Sequence, residues 1–272
     1  MKTILLYVQG DQTLVPQLEA AMALARRFSA HLTCLHVTPI EAYVALGGFD
    51  GTILNTDIRD ALEIGQNAVR ATVENQMRAE DVSWDFEQVV GHVATTIVRH
   101  ASLVDLLVIG RESQYGAGRW ASQTGLIGDL LHRCRTPLFI PSAESTAVNA
   151  AGPALVAWDG SFEAANAIRA SIEFLKAASQ VHLLRIERIE EDQFPDTKVI
   201  QYLSRHGIHA QLETQTSRYD DVATLLVGEA AQRGATTVIM GAYNHSRIGE
   251  LLFGGVTRSL LLDCPVPLLL AH

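Results

Sequence analysis

Short apolar runs alternate with longer amphipathic stretches along this chain. Thr3 to Val8 and Ala154 to Trp158 are nearly continuous apolar runs of strand length, and each stops at a glycine triplet: Gln9-Gly10-Asp11 or Asp159-Gly160-Ser161. Each triplet is followed by an Ala-rich stretch with helical spacing, Leu14 to Ser29 and Phe162 to Ala178, which predicts one helix apiece. Second strands are expected over His31 to Val37 and Gln180 to Ile186. Leu106-Leu-Val-Ile-Gly110 answers Thr237-Val-Ile-Met-Gly241, and Cys134-Arg-Thr-Pro137-Leu-Phe-Ile answers Cys264-Pro-Val-Pro267-Leu-Leu-Leu.

These matches define an internal duplication. The offset is 131 residues between Gly110 and Gly241 and 130 between Cys134 and Cys264, so one loop of the first copy carries a single extra residue. Each copy reads as five strands alternating with four helices. That alternation predicts βαβ units, right-handed crossovers and a mostly parallel sheet covered on both faces. The expected division is a first domain over 1–141, a linker over 142–153 with no hydrophobic period, and a second domain over 154–272.

Composition narrows the possible partners. Of 272 residues, 48% are hydrophobic and 19% charged, as in a well-cored globular protein, and the formal net charge is −9. An acidic surface repels phosphodiester backbones and anionic lipid, which disfavours nucleic-acid and membrane roles. Cys34, Cys134 and Cys264 form no C-x-x-C pair and read as buried hydrophobes in a reducing compartment. Met1 to Val8 predicts a strand rather than a secretory leader, and Arg258 and Asp263 interrupt the apolar Leu251 to Ala271. A cytoplasmic protein is expected.

In doubly wound sheets, ligands sit at the carboxyl ends of the strands where the strand order reverses. The residues after strands one and four are therefore the candidates. In the second copy strand one ends at Asp159, whose carboxylate can accept from a ribose hydroxyl or a base amine. Strand four ends in Gly241-Ala-Tyr-Asn244-His245-Ser246-Arg247, and Gly254-Gly255-Val256-Thr257-Arg258 then opens an apolar helix. Glycines at a helix start let backbone N–H groups approach an anion, and the helix dipole adds attraction. Thr257 can add a hydroxyl donor, and Arg247 or Arg258 a charge. Each piece has a plainer reading. Asp-Gly-Ser is common turn and helix-cap chemistry, and paired glycines can serve close packing.

The run Gly241-Ala-Tyr-Asn244-x9-Gly254-Gly255-Val256-Thr257, ending at Pro267-Leu-Leu-Leu, resembles the universal stress protein family. Its ATP-binding members carry Gly-x2-Gly-x9-Gly-Ser/Thr here and an Asp after strand one. The resemblance extends over both halves and implies two tandem Rossmann-like (adenine nucleotide alpha hydrolase-like) α/β domains, each a five-stranded parallel sheet with helices on both faces. It further implies that Asp159 meets adenine or ribose and that the backbone around Ile186 meets the base. Gly241, Asn244, Gly254, Gly255, Val256 and Thr257 would surround the phosphates of ATP, with or without Mg²⁺.

Two departures weaken this cradle: Asn244 replaces the second glycine, and Gly255 stands where a hydroxyl belongs. The first copy departs further, with Gln9 for the aspartate, Ser113 for the second glycine and Thr124-Gly125 for the glycine pair. Its loop Gln114 to Gln123, holding Tyr115 and Trp120, reads as a surface loop rather than a flap, and the copy as mainly structural.

Other chemistries lack their residues. There is no Gly-x4-Gly-Lys-Ser/Thr loop, no Gly-x-Ser-x-Gly elbow and no Ser-Gly-Gly-x-Asp-Ser adenylation loop. His206 and His209 read as a solvated pair without a third metal ligand, and His245 as a loop-ordering residue. His92 and His100 point to no particular chemistry.

The expected protein is a stress-response module that binds ATP in its second domain and is no enzyme beyond a very slow ATPase. Occupancy would order the Tyr243 to Leu252 loop. The alternative is a nucleotide-independent scaffold with both sites degenerate. The two domains are expected to pair through edge strands such as Leu138 to Ile140 and Leu268 to Leu270, and two chains can pair again as a homodimer.

Overall fold

The computed structural model describes residues 1–11, 13–41, 56–111, 123–142, 148–187, 197–216, 222–242 and 255–272. The first half runs β1 (Thr3–Tyr7), α1 (Leu14–Phe28), β2 (His31–Pro39), α2 (Thr56–Met77), β3 (Trp84–Gly91), α3 (Val93–Ala101), β4 (Leu106–Val108), α4 (Gln123–Arg133) and β5 (Leu138–Ile140). The second half runs β6 (Ala154–Trp158), α5 (Phe162–Ala170), α6 (Ile172–Ala177), β7 (Val181–Glu187), α7 (Thr197–Arg205), β8 (Ala210–Thr216), α8 (Val222–Gln232), β9 (Thr237–Gly241), α9 (Gly255–Asp263) and β10 (Leu268–Ala271).

All ten strands form one sheet in the order β3-β2-β1-β4-β5-β10-β9-β6-β7-β8. Every pairing within a half is parallel. The order reverses between β1 and β4 and again between β6 and β9, which creates one switch point per half. The halves meet where β5 pairs with β10 antiparallel, Leu269 opposite Phe139, so both apolar edge strands are covered. The outermost strands carry the polar alternation suited to a sheet edge: β3 (WDFEQVVG) and β8 (AQLETQT) expose every second residue or more.

Alternation along the buried strands sorts side chains into two cores. Ile4, Leu6 and Val8 pack with α1 and α2, and Val156 and Leu183 pack with α5, α6 and α7 on that same face. Leu5 and Tyr7 pack with α3 and α4 on the other, together with Leu155, Leu184, α8 and α9. The first core runs through the seam. Phe139 of β5 lies 6.0 Å from Phe174 of α6, and Phe174 lies 5.9 Å from Phe28 at the end of α1, all in tilted geometry. Cys34, Cys134 and Cys264 are all free and buried, and burial pushes the Cys34 thiol up to about 12, with Asp85 adding to the rise.

Two features differ from the sequence reading. The helix expected over Phe162 to Ala178 breaks at Ser171, whose hydroxyl donates to the carbonyls of Ala167 (2.7 Å) and Ile168 (3.2 Å). This side-chain bonding back onto the preceding turn splits the segment into α5 and α6. The end of the expected linker is packed, with Ala150 buried and the Thr236 hydroxyl donating to the carbonyl of Asn149 (2.8 Å).

Candidate functional site

Strand register brings three of the residues singled out in sequence to one sheet edge. Trp158 pairs with Arg185, so Asp159 follows level with Ile186 at the carboxyl end of β7. Val156 pairs with Ile239, which sets Trp158 level with Gly241 at the end of β9. Because β9 and β10 are parallel, the crossover helix α9 starts on that same edge, and its first residues are Gly255, Val256 and Thr257. Asn244 and Gly254, like His245, Arg247 and the Tyr243 to Leu252 loop, lie outside the described residues.

The Asp159-Gly160-Ser161 triplet makes the turn that its composition allows. Gly160 has φ of +77°, a left-handed conformation that favours glycine. The Asp159 Oδ1 accepts from the Ser161 N–H at 2.9 Å, and the Ser161 hydroxyl oxygen accepts from the Ala164 N–H at 3.1 Å as the N-cap of α5. Asp159 is nonetheless exposed at the strand end. Glu163 follows in the first turn of α5, buried, with its charge on the favourable end of the helix dipole.

The glycines divide into two kinds. A Cβ on Gly241 would come within 2.5 Å of the Ala164 backbone nitrogen and 2.8 Å of Glu163 Cβ, so its glycine is demanded by the close approach of α5 to β9. A Cβ on Gly255 would meet nothing within 4 Å among the described residues, so packing gives no reason for that glycine. Gly255 is exposed, Val256 is half-buried against the second core, and Thr257 is buried.

The strand ends of the first half are also filled from within. A Cβ on Gly110 would fall on the Gln17 carboxamide, and one on Gly10 would come within 2.8 Å of Val69 Cγ2 on α2. Gln17 donates to the Thr13 hydroxyl, and Thr13 in turn donates to Asp11 through its N–H (2.8 Å) and its hydroxyl (2.6 Å). Gln9, in place of the aspartate, donates to the Tyr7 hydroxyl at 2.7 Å. Burial raises the Tyr7 phenol to about 12, the Gln9 bond lowering it and Asp11 raising it. Counting from the residue at the helix start, the second half has Ala165 where the first has Gln17, and there the backbone of α5 itself crowds Gly241. Ser113 and the first-half loop through residue 122 lie outside the described residues.

Two residues at the strand ends escaped the sequence reading. Arg185 is 5% exposed at the carboxyl end of β7, beside Trp158. A cation inside Val181-His-Leu-Leu-Arg-Ile was the available signal. Arg111, 8% exposed just beyond Gly110, had no such signal. Among the described residues no His/Cys/Asp/Glu cluster fits a metal ion, and no helix is long and apolar enough to cross a membrane. His206 stacks on Tyr202 at 4.7 Å, while His92 and His100 pair with Glu41 and Glu87.

Two doubly wound α/β units joined into one sheet define a tandem Rossmann-like α/β protein. The universal stress protein family matches residues 1–140 and again 152–272, and the chain belongs to that family as a tandem member. Among solved structures it is similar to a universal stress protein from Archaeoglobus fulgidus DSM 4304, at 15% identity and a TM-score of 0.74, covering 99% of this chain and 96% of that one. It is also similar to a Pseudomonas aeruginosa UCBPP-PA14 chain assigned to the same family, at 16% identity and a TM-score of 0.62, covering 100% and 93%. At these identities the likeness speaks for the fold. A search of curated proteins finds no match.

Proposed function

We propose that this universal stress protein binds an adenine nucleotide, ATP, in its second half and acts as a cytoplasmic stress-response binding module rather than as a catalyst. The observation that carries the reading is the exposed Asp159 on the same sheet edge as the start of α9, where a Cβ on Gly255 would meet nothing within 4 Å among the described residues. In this reading the N–H groups at the start of α9 hold phosphate oxygens with the help of the helix dipole. Asp159 accepts from the ribose or base, and the Ile186 backbone borders the base. The two halves act as one intramolecular pair about the β5–β10 seam, and the first is structural.

A nucleotide-independent scaffold is the second reading, and one observation favours it: Asp159, Ser161 and Gly241 all have a purpose within the protein's own turn and packing. Calorimetric titration with ATP, with and without Mg²⁺, separates the two. The nucleotide reading expects about one ATP per chain. Asp159→Asn keeps the side-chain oxygen that accepts from Ser161 and removes the charge, while Asp159→Ala removes both. Weakened binding in Asp159→Asn, with stability retained, supports the nucleotide site. No heat and no thermal stabilisation at millimolar ATP would leave the scaffold reading standing.

A further inference from the structure

The helix that starts at the candidate cradle ends in the grip of the other half. Arg111 lies just beyond β4 of the first half, and its guanidinium donates to the carbonyl of Cys264 (2.5 Å) and to that of Val266 (3.0 Å), immediately after α9. Ser142, just beyond β5, donates from its hydroxyl to the carbonyl lying between them, that of Pro265, at 2.6 Å. The last carbonyls of a helix lack partners within it and carry the negative end of its dipole, so a buried guanidinium is well matched to that end. Three consecutive carbonyls of the second half are thus held by two side chains of the first.

Among the described residues the grip runs in one direction. By the 131-residue offset the counterpart of Arg111 is Ala242, which has no side-chain donor. Its backbone is engaged within its own half, the N–H donating to the Ala271 carbonyl (2.8 Å) and the carbonyl accepting from His272 Nδ1 (2.9 Å). Thr136, near the end of α4, bonds inside its own half to the Ala101 carbonyl at 2.5 Å. Among the described residues, of the two helices that follow a fourth strand, α9 is the one whose far end is held by an arginine of the other half.

We propose that Arg111 is a positioning residue that couples α9 to the first half, so that phosphate bound at Gly255 to Thr257 is registered at β4. The proposal rests on the nucleotide reading for its ligand but not for its mechanics. A nine-residue helix is about 13 Å long and moves as a body, so a shift at one end reaches the other. Arg111 carries that shift to the residue next to Gly110, where the first half's own site has been filled.

The test is hydrogen exchange on the full chain, with and without saturating ATP, in wild type, Arg111→Met and Arg111→Lys. The probes are the amides of Cys264, bonded to Leu260, and Ile109, bonded to Phe139. In wild type, ATP is expected to slow exchange at both, by about fivefold at Ile109. In Arg111→Met the response near α9 persists and that at Ile109 disappears, with Arg111→Lys in between. Equal responses at Ile109 in all three proteins would overturn the proposal. If titration shows that wild type binds no ATP, the nucleotide reading fails separately. The coupling is then judged by Thr257→Gly, which removes a buried side chain from the first turn of α9 without ligand. A change at Ile109 that vanishes when Arg111→Met is added upholds the coupling, and no change at Ile109, or a change indifferent to Arg111, ends it.

Discussion

Gly241→Ala isolates the part of the site that is architecture. The added methyl would stand 2.5 Å from the Ala164 backbone nitrogen and 2.8 Å from Glu163 Cβ. Neither is the far end of a flexible side chain, so relief requires the first turn of α5 to lift from β9 or the strand to bend. Overpacking of this kind costs about 1–3 kcal/mol. Removing a glycine from a strand returns roughly 0.5–1 kcal/mol of that through lower chain entropy, so a net loss near 1–2 kcal/mol is expected. For a chain of this size, Tm should fall by roughly 2–8 °C. Gly255→Ala is the matched control, because its methyl meets open space and its stability should stay within about 0.5 kcal/mol of wild type. Urea titrations of the three proteins, followed by circular dichroism, measure both. Unchanged stability in Gly241→Ala, or an equal loss in Gly255→Ala, would refute the division of the glycines into packing and open positions.

Two further outcomes follow from the same geometry. Ser161→Ala removes the side-chain acceptor of the Ala164 N–H and should cost about 0.5–2 kcal/mol in a urea titration, while a smaller loss would mean that water replaces the cap. His182 is buried in β7, and burial first, then the nearby Arg233, hold its imidazole below the usual 6.5 against the opposing pull of Glu213. The folded imidazole is therefore neutral where the unfolded one begins to take a proton. Its contribution to stability is complete above about pH 6.5 and is lost as pH falls through the lowered folded value. His182→Gln should flatten stability against pH below neutrality, and an unchanged slope would exclude His182 as its source.

Much of the fold was legible in the residues because buried parallel strands leave near-continuous apolar runs, and duplication shows each run twice. Leu106 to Ile109 and Thr237 to Met240 could be read without a structure for that reason. The break at Ser171 could not. Its cause is one hydroxyl turning back onto the preceding turn, within an Ala-rich run that otherwise favours a continuous helix. The placement of the candidate residues was legible as a set of strand ends, since Asp159, Ile186 and Gly241 fall on one edge by register. The occupancy of those ends by the protein's own atoms was not legible. Nothing in the spacing of Gln17 shows that it fills the position beside Gly110, because that contact joins a helix to a strand more than 90 residues away. Arg111 was hidden for the same reason: its acceptors lie 153 and 155 residues along the chain.

The antiparallel seam between β5 and β10 has a consequence for how the two sites could diverge. When identical subunits pair, every substitution is made twice, and a site that fails in one fails in both. Here the two partners are encoded in tandem, and their covalent tether keeps them together at any dilution. The seam can therefore be preserved by Phe139, Leu269 and their neighbours while each strand end changes on its own. Gln17 fills the position beside Gly110, whereas the first turn of α5 crowds the equivalent Gly241, so two equivalent strand ends carry different answers that a symmetric assembly of one short chain could not hold together.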